Sequence, residues 1–247
     1  MIKSRKKLRS ARWLASLGII LTGAVGICCC TSPKANLPGN TTTSISIDWV
    51  NFIQFQGITY LATYSRVGRK LQESDLGPIF ATVRFKLEGN VNDPGYRSKD
   101  GDAAFLDPGT SVYTLKDYSS QFRLAAYQDG QLILYEADTN PHAKKGGDLL
   151  DIAGRVQYIG VNSEQDGVAE LGAIKDPQQI ANLVDMILNA TVDQSYQSTD
   201  SLRYVIAFHL IDGTATVRAY WPRSGELSRG ILLPPAFASA IEGSVSK

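Results

Sequence analysis

Past residue 30 this 247-residue chain has no cysteine. That absence removes disulfide frameworks, thiol catalysis and thiolate metal sites from the body of the protein. Histidine is nearly missing as well. His142 and His209 are the only two, they lie in different segments, and no HExxH run occurs, so a zinc hydrolase would have to take its other ligands from carboxylates. No GxGxxG fingerprint is present, and Gly146-Gly147 beside Lys144 and Lys145 lacks the Walker spacing of a phosphate cradle. The GxSxG elbow is missed by one residue at Gly225–Gly230, which leaves Ser228 without its context. Acids are absent before Asp48, whereas six of the 25 basic residues (Lys3, Arg5, Lys6, Lys7, Arg9 and Arg12) fall before residue 13. Without those six, 19 basic residues face 24 acidic ones, so the body offers no general attraction for nucleic acid, and no nucleic-acid partner is expected.

Long apolar runs are also scarce, and the one that exists follows the basic segment. Trp13 to Ile27 (WLASLGIILTGAVGI) has the length of an export-signal core and falls short of the roughly 20 residues of a spanning helix. Cys28, Cys29 and Cys30 end it. The arrangement resembles bacterial lipoprotein export signals, in which an aliphatic residue stands three places before a lipid-modified cysteine. Val25 fits that place for Cys28 and Ile27 fits it for Cys30, whereas the small residue expected just before the cysteine is replaced by Ile27 or Cys29. The resemblance implies lipid attachment, of the palmitate type, at one of Cys28, Cys29 and Cys30. An uncleaved N-terminal anchor is the alternative, and both readings place the body at the extracytoplasmic face of the cell membrane. Residues 31–44 (TSPKANLPGNTTTS) cannot bury a core and read as a flexible tether.

What the body does have is strand grammar. The stretch 99–137 holds three strand-like runs, Ser111–Leu115, Phe122–Tyr127 and Gln131–Glu136, the last two flanking Asp129-Gly130, a pair suited to a tight hairpin. Short connections favour an antiparallel meander. Trp49–Phe55 and Ile58–Tyr64 predict a hairpin around Gln56-Gly57. Pro78–Leu87 predicts one strand with Ile79, Ala81, Val83, Phe85 and Leu87 on one face. Arg155–Val161 predicts another strand, and Leu202–Leu210 with Thr214–Trp221 a second Asp-Gly hairpin around Asp212-Gly213. Asp176–Ala190 predicts the one strong helix, with Asp176 as cap, Pro177 at the first turn and an apolar face of Ile180, Leu183, Val184, Ile187 and Leu188. Ala236–Ile241 adds a short C-terminal helix. The expected fold is α+β and β-rich: an antiparallel meander and hairpins with one packed amphipathic helix. The expected divisions are 1–30 signal or anchor, 31–44 tether, 45–165 β-rich region and 166–247 helix plus hairpin, the last two separate or one domain.

Candidate chemistry sits in loops. Asn90, Asn92, Asp93, Asp100 and Asp102 supply the oxygen ligands a hard cation such as calcium would take, but the spacing lacks the glycine and closing glutamate of the helix-loop-helix calcium pattern, and such residues also favour turns. Asp100 with Asp102, and Glu136 with Asp138, would set paired acids on one side of an extended segment, as glycosidases use, or simply solubilise a surface. His209 reads as a strand histidine sharing a side with Val205, Ala207 and Ile211. Tyr96, Tyr113, Tyr118, Tyr127, Tyr135, Tyr204, Tyr220 and Trp221 crowd the hairpins and would suit a binding face.

The segments GNVNDPGYRSKDGDAAFLDPGTSVYTLKDY (89–118), FRLAA (122–126), LYEADTN (134–140) and VRAYWPRSGELSRGILLPP (217–235) resemble a group of bacterial, chiefly Gram-positive-type, envelope lipoproteins. The resemblance covers most of residues 79–241 and implies a location, without activity or site residues. The expected function is a tethered, non-enzymatic binding or accessory module whose partners are the membrane and an envelope protein or cell-wall component. The alternative is an envelope hydrolase using loop carboxylates, with calcium as its only expected cofactor.

Overall fold

The computed structural model describes residues 47–64 and 66–245. Segments 1–30 and 31–44, with Cys28, Cys29 and Cys30, lie outside the described residues. The protein is α+β and β-rich, and the described residues belong to one compact unit. The first sheet contains β1 (Phe52–Phe55), β2 (Ile58–Thr63), β3 (Leu76–Thr82), β4 (Phe85–Lys86), β5 (Asp102–Ala103), β6 (Ser111–Leu115), β7 (Arg123–Gln128) and β8 (Gln131–Thr139), in the order β3-β6-β7-β8-β2-β1-β5-β4. The second contains β9 (Val156–Asn162), β10 (Glu170–Ile174), β11 (Thr191–Val192), β12 (Tyr204–Leu210), β13 (Ala215–Trp221), β14 (Glu226–Leu227) and β15 (Ile231–Leu232), in the order β10-β9-β12-β13-β14-β15-β11. The helices are α1 (Pro177–Asn189) and α2 (Pro235–Val245). The chain passes from one sheet to the other between Thr139 and Val156, so β9 pairs with β10 and β12 and not with the first sheet.

The edges of the first sheet, β3 and β4, are consecutive in sequence. Only Val83 and Arg84 separate them, a span of about 10 Å, so the two edges must meet. Val83 N donates to Thr110 O just before β6 and Arg84 N to Gly101 O just before β5, so the linker carries the pairing of each edge to the corner where they meet. The enclosed side chains include Ile53, Tyr60, Val83, Val112, Leu124 and Tyr135, all at most 2% exposed. Closure also corrects the expectation of one regular strand from Pro78 to Leu87. Two register shifts in β3 and the bend at Val83-Arg84 break the alternation, so Val83 and Leu87 are buried while Ile79 is 60% exposed.

The Asp129-Gly130 hairpin forms as its sequence dictates: Gln128 pairs with Gln131, and both turn residues take positive φ, 50° and 75°. The Asp212-Gly213 connection differs. His209 pairs with Ala215, Leu210 N donates to Thr214 O, and only Gly213 has positive φ, so the turn is wider than its Asp-Gly pair suggests. The Asp212 carboxylate is the reason, because its Oδ1 accepts from both Thr214 N and Thr214 Oγ1 and organises the extra residues.

In the second sheet both helices pack on one face. Ile180, Leu183, Val184 and Ile187 of α1 and Phe237 and Ile241 of α2 close over Ile159, Val161, Ile206 and Phe208. Because side chains alternate along a strand, Tyr158, Gly160, Asn162, Val205, Ala207 and His209 fall on the opposite face. Asp176 caps α1 by accepting from Gln179 N at 2.7 Å. Replacing it with alanine is expected to lower stability by about 1 kcal/mol, read as a shift in the urea midpoint at unchanged slope.

Candidate functional site

The loop acids do not converge on one point. Asn90 Nδ2 donates to Lys86 O, Asp93 Oδ1 accepts from Gly95 N, and Asn92 is exposed. Asp100 Oδ1 accepts from Gly57 N, while buried Asp102 accepts from Tyr96 Oη and Lys99 N, each at 2.8 Å. Asp100 and Asp102 are separated by Gly101 at φ 95°, a turn and not the extended segment that would place both acids on one side. Among the described residues no three or more of His, Cys, Asp and Glu gather as a metal-holding group. These five side chains hold turns, and Asp102 anchors the loop to the body.

Glu136 and Asp138 also depart from the paired-acid expectation. Glu136 is buried: Oε1 accepts from Arg123 Nε at 3.0 Å and Nη2 at 2.7 Å, and Oε2 from Thr216 Oγ1 at 2.7 Å and Arg218 Nη1 at 2.9 Å. Burial alone would raise its pKa. The two guanidinium groups and the Thr216 hydroxyl outweigh that and hold the carboxyl below its ordinary range. Arg123, fully buried, lies against the Tyr118 and Phe122 rings and donates onward to Thr214 Oγ1 and Ala215 O. Asp138 pairs instead with Arg229. This network joins β7 and β8 of the first sheet to β13 of the second.

The aromatic residues do not form one face. Tyr135 and Tyr220 are fully buried, Tyr118 packs in the inter-sheet network, and Tyr113 and Tyr127 make a separate edge-to-face pair.

The strongest convergence of free polar groups lies on the helix-free face of the second sheet. Tyr158, Gly160 and Asn162 stand in line on β9. The register sets His209 of β12 opposite Tyr158 and Glu170 of β10 opposite Asn162. Between β9 and β10 the turn is fixed by Asp166 Oδ1, which accepts from Val168 N and Ala169 N, and by Ser163 N donating to Ala169 O. His209 stacks flat on Tyr158, ring centroids 3.9 Å apart and planes at 9°. Its pKa is lowered by burial, with the Glu170 charge opposing, so the imidazole is neutral at neutral pH. Lys175 Nζ lies 5.8 Å from the centre of the Tyr158 ring.

Gly160 forms the floor. A methyl group on its Cα would lie 3.2 Å from Asn162 Oδ1, 3.2 Å from Glu170 Oε2 and 3.5 Å from His209 Nε2. Asn162 is 2% exposed, and its Oδ1 is buried with no hydrogen-bond partner. Its orientation is fixed, because Nδ2 donates to Gly167 O at 3.0 Å and a flip would set two carbonyl oxygens together. Sequence reading located His209 and its strand but missed Asn162, Glu170 and Gly160. The one available signal was a glycine inside a strand pattern, which marks a close approach.

No family model matches this chain, and neither a curated protein nor a solved structure is significantly similar to it.

Proposed function

We propose that this protein is a membrane-tethered, extracytoplasmic binding module. The observation that carries the binding reading is the polar cluster around Gly160, where a buried acceptor without a donor stands beside an exposed carboxylate and an imidazole on a face that neither helix covers. The tether reading rests on the basic segment, the apolar run ending in Cys28-Cys29-Cys30, the polar stretch 31–44 and the resemblance to envelope lipoproteins. Among the described residues no helix is long and apolar enough to cross a membrane.

In this reading one of Cys28, Cys29 and Cys30 carries the lipid, and an envelope protein or cell-wall component is the partner class. Mass spectrometry of the mature N-terminus, with and without globomycin, tests the tether. The expected result is a cleaved, diacylated cysteine whose processing globomycin blocks; an intact, unmodified N-terminus refutes lipid attachment. No specific geometric feature favours the calcium-assisted hydrolase, whose acids are engaged in turns.

A further inference from the structure

We infer that a cavity between the end of β2 and the start of β13 binds a small amphipathic anion, a carboxylate or phosphate carried on an alkyl chain. The inference goes beyond the binding reading above, because the cavity shares no lining residue with the Gly160 cluster and does not depend on the lipid tether. Past Thr63 the chain leaves the first sheet and crosses to the second through Arg66-Val67-Gly68-Arg69-Lys70-Leu71, three cations in six residues with no acid before Glu73. The crossing is tied down. Arg69 N donates to Gly213 O at 2.8 Å, and Arg69 Nε to Asp212 O at 2.6 Å. Gly68, at φ 77°, runs so close to β13 that a Cβ there would lie 2.8 Å from Ala215 N. Held in this way, the crossing and β8 border a space of about 310 Å³, within the range of small-molecule sites.

Two kinds of surface line this space. Leu71, Leu132 and Leu134 are only half-buried, so their side chains can be reached, and Tyr64 is 66% exposed, its hydroxyl accepting from Asn51 Nδ2. Beside them stand Arg66, Arg69 and Lys70, and among the described residues no Asp or Glu lines the space. Arg69 is already engaged, with Nη1 and Nη2 donating to the Asp75 carboxylate at 2.6 and 2.9 Å, so it holds the crossing in place. Arg66 and Lys70 are exposed, and among the described residues neither forms a salt bridge. Asp166 lies within electrostatic reach of Arg66, but its Oδ1 already accepts from Val168 N and Ala169 N. Cations of one sign beside apolar walls focus their field into a cleft. An anion with an alkyl body satisfies both surfaces; a bare anion leaves the leucines wet, and a cation is repelled.

The test uses the full chain in nonionic detergent micelles, read through its leucine methyl signals. Leu132 and Leu134 report on the cavity, and Leu183, buried on α1, is the internal control. Titration with sodium hexanoate is expected to move the Leu132 and Leu134 signals saturably and leave Leu183 in place. Sodium acetate, which has the charge without the chain, and n-hexylammonium chloride, which has the chain with the opposite charge, are expected to give no saturable shift. Arg66→Gln combined with Lys70→Gln should weaken hexanoate binding about tenfold, the loss of two solvent-screened charge contacts. Thr63→Trp, at a half-buried position lining the space, should abolish saturation.

The inference is overturned by the absence of a saturable hexanoate shift, by equal affinity for hexylammonium, or by wild-type affinity in Thr63→Trp. Should Thr63→Trp fail to fold, the double glutamine variant at two exposed side chains decides the matter, and wild-type affinity there overturns it. Hexyl phosphate then separates the headgroups: tighter binding than hexanoate points to a phosphate ester, and equal or weaker binding to a carboxylate. Failure of lipid attachment would leave these results unchanged.

Discussion

Glu136→Gln is expected to lower stability by about 3–5 kcal/mol, the cost of leaving a buried ion pair with one partner. The carboxylate accepts four hydrogen bonds from Arg123, Arg218 and Thr216, and Arg123 is fully buried. A glutamine amide keeps one acceptor oxygen and brings two N–H donors into a site already crowded with donors, while two guanidinium charges lose their counter-charge. Replacing Arg123, Glu136 and Arg218 together with apolar residues of similar volume removes the ionic group whole and should cost less than Glu136→Gln, because desolvation of the ions offsets much of their attraction.

The pH dependence gives an independent check. The folded-state pKa of Glu136 is depressed, so its contribution is present above the unfolded carboxylate range, about pH 4.3, and is lost as pH falls toward the folded value. The gap between wild type and Glu136→Gln in urea unfolding should therefore be largest at pH 7 and shrink in acid. A gap independent of pH would mean that shape, and not charge, holds the two sheets at this point.

Gly230→Ala is expected to cost about 2–5 kcal/mol, from left-handed backbone strain and forced backbone displacement together. Gly230 has φ 73°, and a Cβ there would sit 1.8 Å from Asp193 O and 2.4 Å from Asp193 C, atoms of the backbone that no rotamer change can clear. The close approach is built by Asp193 N donating to Gly230 O at 2.9 Å. The same turn carries Arg229 to Asp138 at the end of β8, so displacing it also loosens a tie to the first sheet. Chemical denaturation of the folded variant measures the loss. A cost below 1 kcal/mol would show that the 193–194 segment can retreat freely.

The elements that were legible in the sequence are those whose signals are local. The Asp129-Gly130 hairpin needs two residues of positive φ and alternating flanks, all within a few positions. The α1 helix needs a cap, a proline and an apolar face, all within 15 residues. The wider turn at Asp212 was hidden because the residue that widens it uses its side chain, and the pair Asp-Gly reads the same in either geometry. The β10 strand, Glu170–Ile174, carries two exposed residues and a glycine, so no alternation announces it; pairing with β9 makes it a strand.

The candidate site follows the same division. His209 was visible as a residue type in a strand, whereas its neighbours Asn162 and Glu170 come from β9 and β10 and meet it through sheet order. Glu136 and Asp138 read as alternate acids on one strand. Which of them is buried depends on Arg123 and Arg218, 13 and 82 positions away.

By itself, the sequence determined the absence of cysteine from the body, the β-rich class, the tight hairpin and the capped helix, because each rests on composition or on spacing within one segment. Tertiary structure alone decided the closure of the first sheet, the buried Arg123–Glu136–Arg218 junction and the three acceptors over Gly160. These arise where strands distant in sequence are set side by side, and hydrogen-bond register, burial and charge pairing exist only once that has happened.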